Sequence, residues 1–418
     1  MSRTLLACAR AAGLLGFLSA AAHPAAANPA AGGAPGSWLM NYAGARTLGM
    51  GGAFVATADD ALGVLWNPAG LQFMDQNQLM FENVQLFEDA SVNSFSFAVP
   101  GNWLPSLGIS MVALRSGEFQ RTNELNDDLG TFQERETAYL VTLAKGLSPR
   151  FAIGANMKVI QQTVEDYSAG GLGFDLGAIA HVTPWLRLGV SAGNLGGPKI
   201  TLRDTPEQYE TSWRGGAAFQ VFGGRGLMSV DVSHAAEAGA RLHAGAEYWL
   251  LPGMALRVGL VDERTAGGLA YRFAPQYQVD YGFSDHPLGI SHRVGLSYRF
   301  GGFFASSRAE PELFSPTGER STTQIRLNAR TKSEAESWTL DVIDKTDQVV
   351  RRFGGAGLPP AHVQWDGKDE TGMPVADGEY TYRLVVKDKD GRIVDGPVRR
   401  VTISTTGPQG GVPVNIGP

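Results

Sequence analysis

The sequence predicts an all-β protein: a transmembrane antiparallel β-barrel of about 14 strands, entered by an N-terminal plug segment and followed by a small periplasmic β-sandwich. Three observations predict it. From residue 79 to 301, segments of about ten residues alternate apolar with small or polar side chains. Beyond the first 27 residues no run is long and apolar enough for a membrane helix. The longest connections all fall at one end of the strands.

The chain opens with MSRTLLACARAAGLLGFLSAAAHPAAANP, where Arg3 and Arg10 lead or enter an apolar run that meets Ala25-Ala26-Ala27. That is the build of a secretory leader with a small-residue cleavage site, so 1–27 is expected to be removed before Asn28. The single cysteine, Cys8, leaves with it, and no disulfide or cysteine metal site remains. A formal net charge of −6 without lysine or arginine runs excludes a basic field for nucleic acid.

Residues 28–78 form the expected plug and contain GMGGAFVATADDALGVLWNPAGL at 49–71. Gly49, Gly51 and Gly52 suggest a phosphate cradle, but that chemistry needs a strand before them and a helix N-terminus after them, and neither is present. They read instead as glycines that let backbone press against a barrel wall. Thr57 or Asp59 is expected to cap a short helix ended by Asn67-Pro68, with Leu62, Leu65 and Trp66 as its apolar face and Gly70 in the turn beyond. Asp59 and Asp60 have no histidine nearby, so capping is preferred to a carboxylate metal or catalytic site. Gly49, Gly51, Gly52, Asp59, Asp60, Trp66, Asn67, Pro68 and Gly70 are therefore plug or gate residues. Phe54, Val55, Leu62, Leu65 and Trp66 are the candidate lining of a pocket for a hydrophobic ligand.

The barrel is expected over 79–301, with strands at 79–87, 91–99, 107–115, 135–145, 150–164, 171–182, 186–194, 210–221, 226–234, 240–249, 254–261, 265–273, 276–284 and 292–300. In HRVGLSYRF, Val294, Leu296, Tyr298 and Phe300 share one face while Arg293, Gly295, Ser297 and Arg299 share the other. The wet face also carries Lys158, Asp175, Arg187, Asp231, Arg241, Glu247, Arg257, Arg272 and Asp280. Arg or Lys facing lipid at mid-depth costs about 2–4 kcal/mol, so this face is the lumen. Its charges are either salt-bridged filling around the plug or the lining of a permeation or ligand path.

Short turns follow the even-numbered strands, and the longest loops, 116–134 and 195–209, follow odd-numbered ones. That parity fits a barrel with both ends of its chain in the periplasm. Trp103, Trp185 and Trp249 at the short turns, with Phe273 and Phe300, are expected to form an interfacial girdle. After the barrel, 302–323 reads as a linker and 324–405 as a sandwich of short strands punctuated by Asp366-Gly367, Asp377-Gly378 and Asp390-Gly391. Residues 406–418 read as a disordered tail.

Two families are resembled. Residues 44–71, GARTLGMGGAFVATADDALGVLWNPAGL, with the glycine-rich strands behind them, resemble PorV/PorQ-type proteins of the FadL superfamily of outer-membrane barrels. That resemblance implies a 14-stranded barrel with a lumenal plug, and either transport of hydrophobic compounds or a part in protein secretion to the cell surface. Gln364-Trp365-Asp366-Gly367-Lys368-Asp369, Gly372 and Asp377-Gly378-Glu379-Tyr380-Thr381-Tyr382 are similar to the FlgD-type immunoglobulin-like (Ig-like) domain, which implies a fold and no activity. Phe300 is internal, whereas barrel-insertion machinery commonly reads a terminal aromatic.

No nucleophile motif or metal spacing stands out, so no enzyme, metal or cofactor is expected. The sequence points first to a Gram-negative outer-membrane protein passing hydrophobic or amphipathic small molecules beyond its plug. The alternative is a non-channel adaptor whose outer loops hold secreted proteins. Expected partners are outer-membrane lipid, the barrel-insertion machinery, those solutes or cargo proteins, and a periplasmic partner of the sandwich.

Overall fold

In the computed structural model the described residues are 39 and 43–405, without 237–238, 252, 263, 287–288 and 318–320. The leader 1–27 and the tail 406–418 lie outside them. Fourteen strands close into one antiparallel barrel in sequential order. They are β1 (Asn77–Gln85), β2 (Ser91–Val99), β3 (Ser106–Arg115), β4 (Glu134–Ser148), β5 (Phe151–Val164), β6 (Tyr167–Thr183) and β7 (Leu186–Leu195). The circuit continues through β8 (Ser212–Val221), β9 (Gly226–Ala235), β10 (Gly239–Leu251), β11 (Met254–Val261), β12 (Arg264–Arg272), β13 (Tyr277–His286) and β14 (Gly289–Phe300). β1 and β14 seal it, in register from Asn77↔Phe300 to Gln85↔His292. Closure leaves no strand edge, which is what a lipid setting demands.

The period-two pattern sorts the side chains. Phe81, Phe95, Ile109, Val141, Leu172 and Val294 stand exposed on the outer face. Glu82, Ser96, Asn156, Asp231, Arg257 and Arg293 are buried on the inner one. An apolar exterior around a polar interior is the arrangement of a membrane barrel. Trp103, Trp185 and Phe273 are exposed at the end where the wall's first strand begins, here the near end. Trp249 departs from the expected girdle: two residues beyond buried Glu247, it shares that residue's inward parity and lines an internal cavity. Its place beside a turn suggested a girdle, but parity decides the side.

Both long loops at the far end carry hairpins. Phe119–Thr122 pairs with Asp128–Phe132, and Lys199–Thr201 with Pro206–Gln208. The second hairpin does not stand clear of the barrel, because Ile200 and Tyr209 are each only 1% exposed.

Past Phe300 the chain enters the sandwich without the expected linker. β15 (Phe304–Glu310) pairs along its whole length with β17 (Thr323–Arg330), after the short β16 (Leu313–Phe314). Its inward residues are Ala305, Ser307 and Ala309, too small to give a hydropathy period. The remaining strands are β18 (Ala335–Ile343), β19 (Val349–Ala356), β20 (His362–Trp365), β21 (Gly378–Asp388), β22 (Ile393–Asp395) and β23 (Arg399–Ile403). Trp365, Tyr382, Leu340, Leu384 and Ile325 fill the core between the sheets.

Candidate functional site: the plug and the two chambers it separates

The plug, 43–76, crosses the barrel as one short helix, α1 (Ala45–Gly49), and two 3-10 turns, Gly63–Leu65 and Pro68–Phe73. No α-helix spans the stretch between Thr57 and Asn67. Asp60 caps the first turn, its Oδ1 accepting from the Gly63 N–H at 2.7 Å. Asn67 begins the second turn instead of ending a helix: its Oδ1 accepts from Ala69 N–H at 3.1 Å. The Asn67 amide also donates to Val55 O at 2.8 Å and to the wall at Ala178 O and Val190 O. The Thr57 hydroxyl turns to Phe54 O, and Asp59 is drawn away by Arg46 and Arg187 at 2.7 and 3.3 Å.

The glycines mark where two backbones touch. A Cβ on Gly51, whose φ is +64°, would lie 2.5 Å from Leu260 N and O. Across the contact, a Cβ on Gly245 would lie 2.2 Å from Met50 O, and one on Gly259 2.0 Å from Gly51 N. Any side chain there would push the plug off the wall. Gly70 is bedded within the plug against Ala58, while Gly49 and Gly52 adjoin Arg257 and His243 respectively.

Wall side chains grip the plug's backbone at several points. Asp231 accepts from Phe54 and Val55 N–H, and Glu82 from Gly44 and Ala45 N–H. Arg214 donates to Gly52 O at 2.6 Å and lies 4.6 Å over the Trp66 ring. Glu82, Arg214 and His243 were not singled out from the sequence. Their only signal is an ionisable residue at an inward position of a strand.

On the near side of the plug lies a cavity of about 220 Å³ lined by Arg46, Asp59, Asp60, Glu247, Arg272 and Asp280, among others. Arg46 bridges Asp59, Asp60 and Glu247, and buried Arg257 bridges Glu247 and Asp280, both at 2.7 Å. Arg272 and Arg299 both donate to Gln278 Oε1. The expected lumen charges Arg187, Glu247, Arg257, Arg272, Asp280 and Arg299 are thus gathered with the plug residue Asp59 around one chamber. Lys158 and Asp175 pair with each other at 2.6 Å on the opposite side of the plug. Arg241 and Arg293 keep inward parity, with Arg293 donating to Ser284 Oγ at 3.0 Å.

On the far side an apolar cluster lines one part of the lumen. Val84, Val92, Val112, Ala138, Leu140 and Ile160 face inward from β1 to β5 and pack around Leu39, Ile200 and Tyr209. These wall positions were missed because the polar-inside contrast fails there: Val84 and Val92 sit between polar neighbours, Asn83 and Gln85, Ser91 and Asn93, while Val112 and Leu140 sit between apolar ones. Beneath this cluster a cavity of about 30 Å³ touches Leu65, Trp66, Leu140, Lys158, Asp175 and Asn194. Two of its lining residues hold buried polar atoms without a partner among the described residues, Trp66 Nε1 and Asn194 Oδ1. Of the five pocket candidates only Leu65 and Trp66 reach it. Phe54, Val55 and Leu62 are at most 1% exposed and serve as packing inside the plug.

Residues 315–394 match the FlgD Ig-like domain family. No curated protein sequence matches the chain. Among solved structures, the deltaS2 mutant of the TodX monoaromatic hydrocarbon channel is similar at a TM-score of 0.51 and 12% identity, over 63% of this chain and 100% of that one. The Pseudomonas putida toluene transporter TodX is similar at a TM-score of 0.49 and 13% identity, over 62% and 98%. A Pseudomonas aeruginosa FadL homologue has a TM-score of 0.46 at 10% identity, over 62% and 99%. The likeness is one of fold: a closed barrel similar to that of the TodX channel mutant.

Proposed function

We propose that the chain is an outer-membrane channel of FadL type that takes up hydrophobic or amphipathic small molecules at its far mouth and passes them beyond the plug. The sandwich then hangs in the periplasm. The apolar far chamber carries this reading. A porin for polar solutes has no use for a lumen lined by Val84, Val112, Leu140 and Ile160, whereas a lipophilic solute would replace Ile200 and Tyr209 there at little cost. The unpartnered Trp66 Nε1 and Asn194 Oδ1 below would meet the polar end of an amphipath. Transport of monoaromatic hydrocarbons by a channel of similar fold is consistent with this chemistry.

The test is binding and liposome uptake of a fluorescent naphthylamine by the full chain. Ile160→Asn is expected to weaken binding by about tenfold, since it sets a polar group in an apolar wall. Trp66→Ala is expected to change the uptake rate. Negligible uptake that neither substitution alters would sink the channel reading.

The filled lumen favours a second reading, the PorV-like adaptor that holds secreted proteins. The exposed hairpin of Phe119–Thr122 and Asp128–Phe132, with Leu125 82% exposed beside it, would then be the cargo contact. Cross-linking through that hairpin would recover cargo.

A further inference from the structure

A side chain of the sandwich reaches the plug. Lys332, in the turn between β17 and β18, is 4% exposed and reaches the near mouth of the barrel. Its Nζ donates to Gln72 O and, at 3.3 Å, to Met74 O. These carbonyls lie at the close of the turn Pro68–Phe73, where a helical segment runs out of its own donors. A side-chain donor there does what a C-cap does.

The surroundings fix the lysine on both sides. Lys332 Nζ lies 5.4 Å and Arg330 Cζ 5.8 Å over the ring of Phe303, itself 5% exposed at the junction of barrel and sandwich. Phe303 N–H donates to Asp75 O at 2.6 Å, so the segment entering the sandwich is hydrogen-bonded to the segment leaving the plug. On the plug side, Ser106 Oγ donates to Gln72 Oε1 at 3.1 Å, and Phe73 stacks on His181 at 3.9 Å. Arg392 Nη2 meets Pro149 O at 3.5 Å on a neighbouring wall turn.

We propose that the Ig-like sandwich is the plug's clamp: through Lys332 and the Phe303 junction it holds the exit of the plug, 70–76, in the near mouth of the barrel. The tie is asymmetric. The rest of the plug is held by the wall, but its last carbonyls find their donor in the other domain. A rigid sandwich therefore restrains the segment through which the plug would swing out.

The test reads plug order and not transport, so it fails or succeeds independently of any solute. In the full chain, amide exchange at 70–76 is compared between wild type and Lys332→Met, which keeps the stem and removes the donors. Exchange there is expected to rise about tenfold while Leu340 and Leu384 in the sandwich core stay protected. An unchanged rate at 70–76 overturns the clamp. If Lys332→Met unfolds the sandwich, Gly302→Val decides. Its Cβ would fall 2.4 Å from Asp75 O, wedging the junction without touching the sandwich core. Faster exchange at 70–76 with an intact sandwich supports the clamp, and an unchanged rate refutes it.

Discussion

Asp231 on β9 holds Phe54 by its backbone: one carboxylate oxygen accepts from Phe54 N–H at 2.7 Å and from Val55 N–H at 2.8 Å. Glu82 holds Gly44 and Ala45 from β1 in the same way, at 2.8 and 3.0 Å. Wall carboxylates thus satisfy donors that an irregular segment inside a barrel could not pair for itself. Such a plug is docked by polar contacts on backbone, and changing one wall residue can loosen it without altering the plug's own sequence.

Asp231→Ala therefore tests the docking. It leaves two buried N–H groups without an acceptor and strips the carboxylate 3.8 Å from the buried Arg214 guanidinium. A cost of about 3 kcal/mol to plug docking follows from unpaired buried donors and an uncompensated charge. Amide exchange at 53–57 should rise about a hundredfold, with β2 and β3 unaffected. Exchange no faster than in wild type would place the plug's hold elsewhere.

The glycine contacts make a second, steric prediction. Gly259→Ala sets a Cβ 2.0 Å from Gly51 N, in backbone that cannot yield, and is expected to cost docking about 2 kcal/mol. Gly215→Ala is the control, because its nearest neighbour, Val190 Cγ1, stands 4.0 Å away on the outer face. Small-solute flux through liposomes should rise in the first variant and stay at the wild-type level in the second. Equal flux in both would mean that the glycine contacts do not hold the lumen shut.

The far chamber gives a third. Ile200 and Tyr209 occupy it from the loop, so the double substitution to Ala vacates apolar volume without touching the wall. On the channel reading, naphthylamine binding should tighten by about threefold to tenfold, the loop no longer competing for the same surface. Weaker binding would make the loop part of the ligand's own site.

The wall was legible because one residue's offset in a strand reverses the face, and charge inside against apolar outside shows that offset directly. Where the contrast is reversed, as at Val84 and Val92 between polar neighbours, or lost, as at Val112 between Met111 and Ala113, the signal fails, and the far chamber could be found only in three dimensions. The plug was legible in place but not in detail. Thr57, Asp59 and Asp60 are equally good caps in one dimension, and Arg46 and Arg187, brought up by the fold, take Asp59 out of contention. β15 hid for the opposite reason, since its buried face is Ala305, Ser307 and Ala309 and offers no hydropathy contrast.

The clamp should respond to pH in a set direction. Burial, and after it the charge of Arg392, pushes the Lys332 ammonium down from 10.5 to about 7, with Lys145 acting the same way and Asp75 and Asp388 against it. Released from the plug and wetted, the lysine returns toward its ordinary value. Between pH 7 and 10.5 the docked form therefore holds fewer protons than the undocked one, and docking tightens as pH rises across that window. Below about pH 7 both forms are protonated and the dependence levels off. The neutral amine still carries two N–H donors, so the carbonyls of Gln72 and Met74 keep their partner. Exchange at 70–76, corrected for the intrinsic pH dependence of amides, should slow from pH 7 to pH 9 by up to about tenfold per unit. Lys332→Met should show no such slope. A wild-type slope of the opposite sign would mean that Lys332 docks as the more firmly protonated group and that its two carbonyl contacts outweigh its burial.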